Sequence, residues 1–152
     1  MSGDELQFVV FRLGSQEFAL SIAQVERILR YEAPAVLPES PDFLEGVVPF
    51  GGGVVPLVDL RKRLSLEAVH QEETRVMIVH LDDQHVGVVV DQVREVLRVD
   101  TRTIAPPPPM VRGLAARYIS GIIVRPGRTI VVLNASRLLS SEERLALEEV
   151  LP

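Results

Sequence analysis

The chain has 152 residues, 47% hydrophobic and 24% charged, with 16 Lys and Arg against 21 Asp and Glu for a formal net charge of −5. That length suits one full-sized domain or two small units sharing a core, and the composition is that of a folded globular protein. Charges of both signs are interspersed rather than gathered on a basic face, which argues against nucleic acid, and the absence of cysteine excludes disulfides, thiolate catalysis and Cys-ligated metals.

The N-terminus, Met1 to Gln7, is acidic and holds no apolar export segment. No run approaches the ~18 apolar residues of a membrane span. These features predict a soluble cytoplasmic protein without direct membrane insertion.

Phe8-Val9-Val10-Phe11 is an apolar run, Gly14-Ser15 supplies a turn, and Phe18, Leu20 and Ile22 then alternate with Glu17, Ala19 and Ser21. This predicts a hairpin with one buried face. Val25, Ile28 and Leu29 follow at helical spacing and predict a short helix, after which Pro34, Pro38 and Pro41 break regular structure. Val47-Val48 and Val54 to Val58 predict a second hairpin through Gly51-Gly52-Gly53, with Pro56 pointing to an edge or a bulge. Asp59 is placed to cap a short basic helix over Leu60 to Leu64.

Residues 65–75 read as a polar connection. Val76 to Val79, a turn at Asp82-Asp83, and Val86 to Val90 predict a third hairpin. The stretch 101–113 is a linker stiffened by Pro106-Pro107-Pro108-Pro109. Ile119 to Val124 and Thr129 to Leu133 predict a last hairpin across Pro126-Gly127. Ser140 and Glu143 then stand at capping-box spacing before a terminal helix.

The order of these elements occurs twice. Gln16 to Arg30 aligns with Gln84 to Arg98 at an offset of 68 residues, apolar on apolar almost throughout. Gly46-Val47-Val48 and Val54 to Asp59 align with Gly121-Ile122-Ile123 and Thr129 to Asn134 at an offset of 75. The chain therefore reads as two copies of a small β-rich unit, roughly 8–64 and 76–139. Short strands, tight turns and few helices predict small barrels rather than a doubly wound sheet.

Catalytic chemistry is sparse. Gly51-Gly52-Gly53 is followed by a strand and by no Lys-Ser or Lys-Thr, so it reads as a turn and not a phosphate loop. His70, His80 and His85 are not at metal-ligand spacing on a helix face, and no metal or other cofactor is expected. Asp59 and Asn134 stand at matching strand ends, as capping requires. No Ser/His/Asp arrangement is evident, although a triad assembled in space would leave a small β-barrel enzyme as the alternative reading. Val25, Ile28, Val93 and Val96 lie on short segments that either join the two units or form an interface with another protein.

Four motifs carry a family resemblance: Phe11-Arg12-Leu13-Gly14 with Phe18-Ala19-Leu20 and Val25; Gly46-Val47-Val48 with Val54 to Arg61; Val86 to Val93; and Tyr118-Ile119-Ser120-Gly121. From about Leu6 to Leu147 the chain resembles the CheW family of bacterial chemotaxis coupling proteins, as a single domain over 6–147. The resemblance implies a mainly β fold of two five-stranded SH3-like barrels sharing a core, with short helices and a C-terminal helix. It implies a non-enzymatic adaptor that couples the cytoplasmic tips of methyl-accepting chemoreceptors to the regulatory domain of a CheA-type histidine kinase, in some cases within receptor–kinase arrays.

Carried over by position, the resemblance assigns Val25, Arg27, Ile28 and Gly51 to kinase binding. Ala105 and Met110 fall on a second, ring-forming contact. Ile22, Val86 and Val88 line a receptor groove between units. Where this chain has Arg27 and Pro49-Phe50-Gly51-Gly52, the family usually has Glu and Asn-Leu-Arg-Gly. Loss of an exposed Glu–Arg pair costs only ~0–1 kcal/mol, so the expected effect falls on partner choice. A divergent kinase, or a coupling-like protein that binds receptors and not a conventional kinase, would follow.

Overall fold

The computed structural model describes residues 4–81, 83–107 and 117–150. Its strands are β1 (Glu5–Leu13), β2 (Gln16–Ser21), β3 (Val25–Arg30), β4 (Leu44–Phe50), β5 (Gly53–Asp59), β6 (Arg75–Leu81), β7 (Gln84–Val90), β8 (Gln92–Asp100), β9 (Ile119–Arg125) and β10 (Arg128–Leu133), with helices α1 (Leu60–Arg63) and α2 (Ser141–Val150). The hairpin turns fall at Gly14-Ser15, Gly51-Gly52 and Pro126-Gly127, where φ is +63° at Gly14, +59° at Gly51 and +71° at Gly127. Asp59 and Asn134 each cap the turn that follows, accepting from the amides of Arg61 and Ser136. At α2, Ser140 Oγ accepts from the Glu143 amide while Glu143 Oε1 accepts from that of Ser140, the reciprocal box its sequence spacing predicts.

The strands form two five-stranded sheets, in the orders β8-β1-β2-β10-β9 and β3-β6-β7-β5-β4. The sheets do not coincide with the sequence repeats. Each sheet takes the first two strands of one copy and the last three of the other, so neither 8–64 nor 76–139 holds a sheet of its own. The two copies are interlocked.

One bridge closes each sheet on itself. After edge strand β3, Ala35 exchanges backbone hydrogen bonds of 3.0 and 2.9 Å with Val47 on the opposite edge strand β4. After β8, Ala105 does the same with Ile122 on β9, at 2.8 Å both ways. Glycines permit both closures. A Cβ on Gly46 would lie 2.4 Å from the Ala35 carbonyl oxygen, and one on Gly121 would lie 2.5 Å from Ile104 Cγ2.

Three apolar cores result. Phe8, Val10, Ala19, Val99, Ile123, Ile130 and Val132 fill one sheet's interior. Val48, Val55, Leu57, Val76, Ile78 and Val89 fill the other's. A larger core between the sheets takes the opposite faces of the same strands, with Val9 and Phe11 from β1 and Met77 and Val79 from β6, and Leu147 of α2 seals it. Strands buried on both faces explain why β1, β6 and β7 read as near-continuous apolar runs instead of alternating ones.

Two expectations are corrected. The segment Val25 to Leu29 is strand β3, not a helix, after one 3₁₀ turn over Ile22–Gln24. Val25 pairs with Val79 and Arg27 with Ile78, so Glu26 is the extra residue of a β-bulge. The bulge puts Val25 and Ile28, three residues apart, on one face, and that spacing mimics a helix. Strand β5, which carries Pro56, is interior rather than an edge. Its pairing with β7 covers only Leu57 to Asp59, so the missing N–H of Pro56 falls beyond that ladder.

Candidate partner-binding surface

The Gly46 to Arg61 and Val86 to Val93 motifs meet in one largely buried ion network. Arg61 is fully buried and donates from Nε and Nη2 to the Asp59 carboxylate at 3.0 and 2.9 Å, and from Nη1 to Asp91 Oδ1 at 2.9 Å and the Val69 carbonyl at 2.8 Å. Its Nη2 also lies 3.0 Å from His70 Nδ1, and His70 stacks on Tyr31. Burial works against the Arg61 charge, but the hydrogen bonds to Asp59 and Asp91 hold its pKa above the ordinary arginine value. Asp91 Oδ2 further accepts from the Gly14 amide at 2.6 Å. The motif residues thus tie the end of β5, the β7–β8 corner and the β1–β2 turn together. They build the frame, with Arg61 and Asp59 buried and Asp91 partly exposed at its margin.

The residues assigned to kinase binding stand on the rim of that frame. β3 is an edge strand whose outer residues Glu26, Arg27 and Ile28 are exposed, Ile28 at 41%. Sheet closure through Ala35 and Val47 brings β3 beside the β4–β5 hairpin. The Arg27 guanidinium lies over the Phe50 ring, 5.9 Å from its centroid, next to Gly51 at the hairpin tip. Arg27 and Gly51 therefore stand together beside Phe50, while Ile28 is exposed on the opposite face of β3 and Val25 packs half-buried against the core between the sheets. A side chain at position 51 would stand in open space.

Other assigned residues are placed differently. Ile22 is 39% exposed on the turn that carries the chain from one sheet to the other. Val86 and Val88 are each only 1% exposed, inside the core between the sheets. They cannot line a receptor groove as expected, because the seam between sheets is filled by their side chains and those of β1 and β6. Ala105 is half-buried, its backbone committed to the bridge with Ile122. Met110 lies outside the described residues.

Sequence spacing gave no sign of a second cluster beside the β3 edge. The donor atoms of Glu26, His80 and His85 lie within 4.8 Å of one another. His80 and His85 face each other across the β6–β7 hairpin, and the β3 bulge turns Glu26 toward them, with Nε2 of His80 2.6 Å from Glu26 Oε2. His80 and His85, which are not at metal-ligand spacing on a helix face, are thus neighbours across a hairpin with Glu26 beside them. Cross-strand pairing supplied the neighbours, and only the register of three strands could have revealed them.

The second copy repeats the bulge at Arg94, where Phe11 pairs with Val93 and Val10 with Glu95. There the cluster is an ion network. Glu17 accepts from Arg128 at 2.8 and 3.0 Å and lies 3.3 Å from Arg94, while Arg128 also donates to Glu95 at 2.9 Å. The hydrogen bonds from Arg128 hold the Glu17 carboxyl below its ordinary value of 4.5, and those to Glu17 raise Arg128.

An open cleft of ≈ 540 Å³ runs between α1 and α2, lined by Glu45, Lys62, Arg63, Arg117, Arg137 and Glu143 among others. Lys62 pairs with Glu45 at 2.9 Å and Arg63 with Glu143 at 2.8 Å, so those lining charges neutralise one another instead of converging on a vacant point. No described helix is long and apolar enough to cross a membrane.

The model of the CheW-like domain matches residues 7–143 of this sequence. The chain belongs to the CheW-like family. It is 32% identical over 145 residues to the chemotaxis protein CheW of Klebsiella aerogenes, covering 95% of this chain and 87% of that protein. It is also 32% identical over 146 residues to the protein FrzA of Myxococcus xanthus, covering 94% and 91%. Among solved structures, the scaffolding protein TtCheW from Thermoanaerobacter tengcongensis is similar with a TM-score of 0.82 at 29% identity, over 91% of this chain and 96% of that one. The mainly β CheW-like fold of two five-stranded sheets with a C-terminal helix is thus the fold of this chain.

Proposed function

We propose that the protein is a non-enzymatic cytoplasmic adaptor of the CheW type, coupling chemoreceptor tips to the regulatory domain of a CheA-type histidine kinase. The observation that carries this is the exposed edge of β3, where Ile28 is exposed and Arg27 rests on Phe50 beside the Gly51 hairpin tip. An edge strand offers unpaired backbone groups as well as side chains, and bulge and charges keep it from pairing indiscriminately. Ile22, on the turn joining the sheets, is the remaining exposed candidate for the receptor. Ala105 and Met110 stay assigned to a ring-forming contact with a kinase or a second coupling protein.

Receptor binding without conventional kinase binding is a second reading. It is favoured by Arg27, which replaces the usual acidic residue with a cation resting on Phe50, and by Gly51, which leaves no side chain opposite it. Binding of native protein and Arg27→Glu to a conventional CheA-type regulatory domain, measured by calorimetry, separates the readings. A divergent adaptor binds that domain weakly and gains affinity with Arg27→Glu. Equal tight binding by both removes the divergence, and no binding by either, with receptor binding intact, selects the second reading.

A further inference from the structure

We propose that Glu26, His80 and His85 form a binding site for a first-row divalent metal of the Zn²⁺ class. The three side chains come from β3, β6 and β7, and their donor atoms all lie within 4.8 Å of one another. Two imidazoles and one carboxylate are the donor set that such ions take, and a hard, oxygen-seeking ion such as Mg²⁺ does not prefer it. The inference does not depend on the partners proposed above.

Three features of the fold favour an ion over a simple hydrogen-bonded cluster. The β3 bulge inserts Glu26 at the point where it turns onto the His80–His85 pair. Nε2 of His85 is shielded from solvent and has no hydrogen-bond partner. A buried polar nitrogen without a partner is costly, and a metal bond would satisfy it. The ring of His85 is also held in place, with the His80 ring 4.2 Å away and the Phe50 ring 5.8 Å away, centroid to centroid.

The other sheet supplies an internal comparison. At the repeat offset of 68, Glu26 corresponds to Arg94, His85 to Glu17 and His80 to Arg12. There Glu17 and Glu95 face Arg94 and Arg128, and Arg12 acts on Glu17 as a third guanidinium. At the matching positions the β3-β6-β7-β5-β4 sheet carries one carboxylate and two imidazoles, with Arg27 where the other sheet has Glu95. Bonds of ~2.0–2.1 Å to an ion require the donors to rearrange, the 2.6 Å His80–Glu26 contact opening to admit it. Glu26 and His80, with side chains 44% and 39% exposed, have the freedom to do so. Three protein ligands leave a further position open toward solvent for water or a donor from outside the chain.

The test is a titration of the metal-free full chain with Zn²⁺ against a chromophoric chelator near neutral pH, with Mg²⁺ in a parallel arm. The expected result is one Zn²⁺ per chain, with affinity reduced roughly 100-fold in His85→Gln and at least about 10-fold in Glu26→Gln. His70→Gln is expected to bind as the native chain does. Glu26→Gln changes an exposed side chain by almost no volume, so it reports even if His85→Gln fails to fold. Nitrogen resonances of His80 and His85 are expected to shift on saturation. Absence of saturable binding, Mg²⁺ binding as tight as Zn²⁺, or affinity undiminished in folded Glu26→Gln would overturn the site.

Discussion

Gly46 passes Ala35 so closely that a Cβ placed on it would stand 2.4 Å from the Ala35 carbonyl oxygen, at the bridge that closes the β3–β4 sheet. Its φ of +149° is also one that L side chains rarely adopt. Gly46→Ala is therefore expected to destabilise by about 2–4 kcal/mol. The equivalent Gly121→Ala meets the movable Ile104 side chain at 2.5 Å and the Ala105 oxygen only at 3.2 Å, so about 1–2 kcal/mol is expected. Urea unfolding of both variants checks the order. Equal losses would contradict it.

Arg61 holds four partners while fully buried, and removing it strands Asp59 and Asp91. Arg61→Met is expected to cost about 3–5 kcal/mol. Arg61→Lys should recover only part of this, because one ammonium cannot reproduce the bidentate pairing with Asp59 while reaching Asp91 and the Val69 carbonyl. Chemical denaturation measures both.

Acid weakens the β8-β1-β2-β10-β9 sheet through two carboxylates. Hydrogen bonds from the Arg102 side chain and amide draw Asp100 down to about 2 from 3.8, and Arg128 lowers Glu17 from 4.5. Folded values below unfolded ones mean these groups stabilise the fold above the unfolded range. Their contribution fades as pH falls from about 4.5 toward 2. Carboxyl resonances followed by NMR should show both depressed midpoints. Arg128→Gln should return Glu17 upward, and Arg102→Gln should do so for Asp100.

Exposure separates contact residues from frame residues. Ile28→Glu, on the open β3 edge, is expected to change stability within about 0.5 kcal/mol while weakening kinase-domain binding at least about tenfold. Val88→Ala, in the core between the sheets, is expected to cost about 2 kcal/mol and to leave the affinity of folded molecules unchanged. A thermal melt and a binding isotherm on each variant check the contrast.

Much of the fold was legible because turns and caps are local. Gly14-Ser15, Asp59, Asn134 and the Ser140–Glu143 box act over a few residues, and the structure places all of them as their spacing predicts. The repeat was legible too, but not the exchange of strands between copies, since pairing across the chain leaves no mark on either copy's own pattern. β3 reads as a helix in the sequence because its bulge spaces Val25 and Ile28 as a helix would. The burial of Val86 and Val88 is not legible either, because an apolar strand residue reads the same whether it faces a partner or a second sheet. The Glu26–His80–His85 cluster was invisible for a related reason: 54 residues separate Glu26 from His80, and only the register brings them together.

The most direct test of the account is amide chemical-shift mapping of the full chain against the CheA-type regulatory domain from its own cell. The account predicts that the perturbed residues concentrate on Val25 to Ile28 and the Phe50–Gly53 hairpin tip, with Ala105 and the Ile122 strand unaffected by this contact. Perturbations centred instead on β8, β9 or the cleft beside α2, or no binding to that domain at all, would contradict it.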